Sequence, residues 1–166
     1  MLNSLIDKLI ARSKKTPYQH IGDYMSRYWI VPYRHEYEFS FIENPLVWLL
    51  QRFYIAIRIH EIKRSDAGRD PHLHPWCFCT VILKNGYVEE TPIYNENGCR
   101  VGYKRKRYKA GSVLFRTPNF QHRLVILPNR PATTLFITFK KTRSWGFYLK
   151  DGTYVPHAEY LKNKGQ

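Results

Sequence analysis

Residues 71–94 read PHLHPWCFCTVILKNGYVEETPIY, and this stretch decides the fold. From His72 to Leu83 it is rich in aromatic and β-branched residues, which predicts a strand. Asn85-Gly86 stops it, because both residues accept the positive φ of a tight turn. Tyr87 to Ile93 is a second strand. Glu96-Asn97-Gly98 then signals a hairpin, and the chain returns through Arg100 to Lys109.

Upstream, Phe53, Ile55, Ile57 and Ile59 alternate with Tyr54, Ala56, Arg58 and His60, so the two rows face opposite sides of a sheet. Downstream, Ala110-Gly111 is a turn. Val113–Arg116, Arg123–Leu127 and Thr133–Lys140 are further strands, separated by Pro118-Asn119 and Pro128-Asn129. Nearer the N-terminus, Tyr24–Val31 predicts a strand ending at Pro32, and His35–Phe41 another. Glu43-Asn44-Pro45 is a turn, and Leu46–Phe53 reads equally as helix or strand. Leu2, Leu5, Ile6, Leu9 and Ile10 follow helical spacing, which predicts one short amphipathic helix. Many short strands and one convincing helix point to a sandwich or barrel.

At 166 residues the chain fits one domain, 1–166, able to bury a core without disulfides. Cys77, Cys79 and Cys99 form no disulfide framework, which suggests a reducing compartment. The N-terminal stretch carries Asp7 and Lys8 and lacks a cleavage site, and Pro45–Leu50 is too short to span a bilayer. A soluble, cytoplasmic protein with no membrane partner is therefore expected. The net charge is +14. Residues 101–166 carry fourteen Lys/Arg against two Asp/Glu, nearly all of the excess. Such an asymmetry fits either a solvated basic face or an anionic partner, a nucleotide or nucleic acid. Its densest part is YKRKRYK at 103–109, where Lys104, Arg105, Lys106 and Arg107 are candidate anion-binding residues on a charged edge strand.

His72 and His74 stand two apart on one expected strand, so both imidazoles share a face. His122 begins another strand. Three imidazoles suit Fe(II), Zn, Ni, Cu or Mn and leave positions open, the pattern of a catalytic metal. His20, His35 and His157 read as unrelated polar residues. Arg58 and His60 share a strand face; if it turns inward, Arg58 suits a substrate carboxylate or phosphate and His60 a base or extra ligand. Trp76, Arg116 and Tyr148 are further candidate substrate-binding residues.

The spacings resemble the cupin family. In its first motif, G-x5-HxH-x3,4-E-x6-G, the histidines fall on His72 and His74 and the last glycine on Gly86. In its second, G-x5-P-x-G-x2-H-x3-N, Gly111 and His122 match; Pro118 is one place late, Asn119 replaces the glycine, and Ile126 the final Asn. RIHEIKRSD (58–66), GYVEETP (86–92), LFITFKKTRSWGF (135–147) and SRYWIVP (26–32) are also similar to uncharacterised cupin proteins of bacteria and their phages. The resemblance implies an all-β fold: a cupin-type double-stranded β-helix, or jelly-roll barrel, with a short N-terminal helix. Residues 1–50 would hold that helix and flanking strands, 53–140 the barrel, and 141–166 a C-terminal extension.

The motif glutamate is missing. The shorter spacing puts Phe78 there, and the longer puts Cys79 there, as in the thiol dioxygenases, which makes Cys79 a candidate catalytic residue. The resemblance implies a metalloprotein with one divalent ion, Fe(II) foremost and Zn, Ni or Mn as alternatives. It would be a metal-dependent oxygenase, such as a dioxygenase, acting on a small molecule, and a possible homodimer. The alternatives are a non-catalytic module binding a nucleotide, nucleic acid or host protein through the basic third, and a sugar-nucleotide epimerase or isomerase that uses a His base.

Overall fold

The computed structural model describes residues 2–32, 44–66 and 69–163. The strand expected at 35–41 lies outside them. Helix α1 (Leu2–Ser13) is followed by strands β1 (Pro17–Ile21) and β2 (Met25–Val31), helix α2 (Pro45–Arg52) and strand β3 (Ala56–Ile62). Then come β4 (His72–Leu73), β5 (Trp76–Lys84), β6 (Gly86–Tyr94), β7 (Arg100–Lys109) and β8 (Val113–Arg116). The chain ends with β9 (Arg123–Ile126), β10 (Ala132–Lys141), β11 (Gly146–Tyr148), β12 (Tyr154–Pro156) and helix α3 (His157–Asn163).

The strands form a six-stranded sheet in the order β1-β2-β3-β10-β5-β8 and a three-stranded sheet, β7-β6-β9. A small third sheet, β12-β11-β4, completes them. The first two sheets share one core. Met25, Ile62, Ile82, Leu114 and Ala132 from the large sheet pack with Tyr87, Leu124 and Ile126 from the smaller one. The chain crosses between them at Asn85-Gly86, where φ is +58° and then +151°. A Cβ at Gly86 would lie 2.1 Å from the Tyr108 carbonyl oxygen, so only glycine fits.

The expected all-β closed barrel with one short helix is not what forms. Three helices are present among the described residues, and both main sheets are open, with edges at β1, β8, β7 and β9. Closure needs a hydrogen-bonded ladder all the way round. Here β8 is only four residues long and ends its sheet, so the two layers meet by side-chain packing instead.

Two helices lacked a strong periodic signal. The ambiguous run at 46–53 becomes α2, because the Asn44 side chain accepts the Leu46 and Val47 amides and Pro45 occupies the first turn. Helix α3 is seven residues, anchored by Tyr160, whose ring stacks 3.9 Å from Phe147. The expected strand from His72 to Leu83 is also broken, into β4 and β5, because Pro75 brings no amide to a ladder.

Candidate metal centre

The break at Pro75 does not scatter the histidines. β4 is fixed on one side by an isolated bridge in which the His72 amide donates to the His122 carbonyl at 2.9 Å and the reverse bond is 3.0 Å. On its other side it pairs with β11, His72 opposite Phe147. The backbone thus places two ligand candidates 50 positions apart side by side. His74, one residue beyond β4, turns its ring to both: its centroid lies 5.0 Å from His72 and 5.3 Å from His122. The ligand atoms of all three lie within 4.8 Å of one another.

His74 Nε2 and His122 Nε2 are 3.1 Å apart. Two imidazole nitrogens bound to one ion at about 2.0–2.1 Å, at right-angled to tetrahedral geometry, stand roughly 2.8–3.4 Å apart. The pair therefore has the spacing of two ligands of one metal. The donor set, three imidazoles, suits a borderline divalent transition metal.

Buried acidic residues define the site's outer layer. His122 Nδ1–H donates to Glu89 Oε1 at 2.9 Å, because an ionised carboxylate can only accept. That bond fixes the tautomer and leaves Nε2 with its lone pair toward His74. Glu89 is 3% exposed; Arg116 Nη2 donates to its other oxygen at 2.6 Å and to the Tyr108 hydroxyl at 3.0 Å. Burial pushes the Glu89 carboxyl up, but the hydrogen bonds from His122 and Arg116 outweigh it and hold the group below its ordinary value. Asp66 accepts the Leu124 amide at 2.9 Å and lies 4.0 Å from His72 Nδ1.

Burial lowers the His72 pKa to about 4, with Asp66 opposing the shift. It carries His74 well below its usual value too, reinforced by His72 and His122. Both imidazoles are neutral near pH 7, the state a metal requires.

The wall beside the histidines is aromatic. Phe78 lies 4.6 Å from the His74 ring, Phe136 5.8 Å, and Trp76 6.4 Å. Arg58 and His60 are 3% and 7% exposed, so their strand face turns inward. His60 stacks on Phe136 at 4.6 Å, and burial, with Arg58 and Arg27 nearby, drives its pKa well down. Arg58 donates to the Thr138 hydroxyl at 3.2 Å, and its guanidinium lies 5.4 Å from the Trp76 ring and 4.9 Å from Trp29. A row of polar side chains thus lies along the sheet next to His74.

Four sequence-derived assignments lie away from the three imidazoles. Cys79 pairs with Ile137 and Phe115, and alternation on β5 sends it to the face opposite buried Phe78 and Thr80. The side chain beside His74 in the glutamate position is therefore Phe78, which carries no donor atom. Tyr148 contacts Tyr154, and its carbonyl accepts from Arg100; neither contact reaches the histidines. Lys104, Arg105, Lys106 and Arg107 lie on β7, the edge of the smaller sheet. Arg116 is behind Glu89, where it orients the carboxylate. Sequence reasoning passed over Glu89 and Asp66. The available signal was parity: after Gly86, Tyr87 and Glu89 share a face, and an acid beside a core Tyr needs a partner.

No protein-family model matches the chain, and no curated protein matches it in sequence. Solved structures do match. The polyketide cyclase RemF from Streptomyces resistomycificus aligns with a TM-score of 0.53 at 11% identity, over 89% of this chain and 84% of that one. A vicilin from Solanum melongena aligns at 0.53 and 13% identity, over 81% and 33%. The vicilin of hazelnut, Corylus avellana, aligns at 0.51 and 16%, over 75% and 30%. The chain spans about a third of the vicilins' length. No helix among the described residues is long and apolar enough to cross a membrane. The likenesses show the fold alone.

Proposed function

We propose that His72, His74 and His122 hold one divalent metal ion, Fe(II) foremost, in an oxygenase-type enzyme acting on a small anionic molecule. The supporting observation is the 3.1 Å approach of two Nε2 atoms, one of them with its Nδ1 already fixed by a buried carboxylate. Such an ion supplies open coordination positions, Lewis acidity and, as Fe(II), redox chemistry toward O2. The chain's own residues do the rest. Glu89 orients the His122 ring, and Asp66 sets a negative charge 4.0 Å from His72 Nδ1. Phe78, Phe136 and Trp76 keep water off one side and raise the strength of every electrostatic contact there. Arg58, on the same inner face, meets a substrate carboxylate or phosphate. His60, kept neutral by burial, can accept a proton from the bound molecule.

The test is oxygen uptake by Fe(II)-reconstituted protein, screened against small carboxylates and phosphate esters. At least one compound is expected to support uptake that His74→Ala abolishes. Arg58→Met should raise KM for it more than it lowers kcat. Uptake that survives His74→Ala, or equal uptake with anionic and neutral analogues, would overturn the reading.

A further inference from the structure

The metal centre does not account for β7. Its sequence RVGYKRKRYK spans ten residues, and Lys104, Arg105, Lys106, Arg107 and Lys109 are all exposed. The strand pairs with β6 on one side only, so its other edge is open. The register places Lys106 opposite Glu89 and Arg105 opposite Glu90. Of the row, these acids pair only with Arg105. Glu89 turns inward to His122 and Arg116. Glu90 is 1% exposed and holds Arg105 at 2.7 Å on one oxygen and Arg123 on the other. Among the described residues no carboxylate lies within 4.0 Å of Lys104, Lys106, Arg107 or Lys109. Four unpaired cations thus occupy six consecutive positions.

We infer that the open edge of β7 is a docking track for the phosphodiester backbone of a nucleic-acid duplex. Alternation puts the unpaired Lys104 and Lys106 on one face of the strand and Arg107 and Lys109 on the other. A strand entering a groove edge-on therefore offers cations to both flanking backbones. Same-face side chains recur about every 6.7 Å, close to the roughly 6.8 Å axial rise of two successive phosphates.

The aromatics indicate backbone contact without base reading. The Tyr103 ring is covered by Arg123 at 3.9 Å, and Tyr108 is bonded to Arg116 with Lys106 at 5.2 Å, so neither is free to stack on a base. A single strand, which needs such stacking, is disfavoured. A second copy of the chain fits this edge poorly, because pairing two β7 strands would set like charges directly opposite.

Full-length protein should be titrated with a 20-base-pair DNA duplex, its RNA counterpart, a single strand, and vesicles of mixed zwitterionic and anionic lipid. Binding to both duplexes is expected, with log K falling against log salt at a slope near −3.6 for about four contacts, roughly 150-fold between 50 and 200 mM salt. The variant Lys104→Gln/Lys106→Gln/Arg107→Gln spares Arg105 and its buried partner. It should keep the native circular dichroism spectrum and metal content, and its slope should drop to about −1. A flat salt response, unchanged binding by the triple variant, or tighter binding to the single strand or the vesicles would overturn the inference.

Discussion

Glu89 and Glu90 are neighbours in sequence on one strand, almost equally buried, and each accepts from two cationic or potentially cationic side chains. Period two sends them to opposite sides of the sheet. Glu89 faces the core, where its partners are a ligand histidine and Arg116. Glu90 faces outward and is covered by Arg105 and Arg123. The same residue type in the same strand therefore backs the candidate metal centre on one side and a basic surface on the other. What separates the tasks is the pleat, not the composition.

Substitution should separate the two acids cleanly. Glu90→Ala removes two charge-assisted bonds and should lower unfolding stability by about 2 kcal/mol, leaving metal affinity unchanged, as chemical denaturation and metal titration will show. Arg105 is 72% exposed in its side chain and can return to water, which keeps the loss from being larger. Glu89→Gln should instead weaken metal binding about 10- to 100-fold, because the charged acceptor of His122 Nδ1–H becomes a neutral amide that can no longer accept from both His122 and Arg116. Equal effects of both substitutions on metal affinity would show that the faces are not separate.

The inner side also predicts an acid limit. His72 titrates near 4 in the folded chain, lowered by burial, while an unfolded histidine titrates near 6.5. Between these values the unfolded state binds the extra proton. Metal-free protein should therefore lose stability as pH falls from about 6.5 to 4, by up to roughly 3 kcal/mol from this group. His60 and His74, also lowered by burial, act in the same direction. A guanidinium denaturation series from pH 7 to 4 reads the slope; a metal-free stability flat over that window would contradict the buried, neutral histidines.

The smallest expected effect is at Cys79. Because it lies on the sheet face away from the histidines, Cys79→Ser should leave metal content and affinity within twofold of the parent. Phe78→Ala, on the near face, should destabilise the core by about 3–4 kcal/mol and loosen the His74 ring.

The contrast also marks what could be read from sequence. The strands around 86–109 and 113–141 were legible because Asn85-Gly86, Asn97-Gly98 and the proline-bearing turns punctuate alternating runs. His72, His74 and His122 were legible because motif spacing carries them. The choice between Phe78 and Cys79 was not, since a one-residue ambiguity in loop length flips the face of a strand. Glu89 was hidden because two adjacent acids look alike until the pleat assigns them sides. Helix α2 was hidden because an apolar run of six has no period, and the open sheets because closure depends on long-range pairing that local pattern does not encode.

The proposed metal site draws its three histidines from β4, from the residue after it and from the residue before β9. Elemental analysis after anaerobic loading with Fe(II) and desalting tests it most directly. The expected result is about one metal ion per chain in the parent and less than a tenth of that in His72→Ala, His74→Ala and His122→Ala alike, with His157→Ala unchanged. Parent protein with no bound metal, or His→Ala variants that retain the full complement, would contradict it.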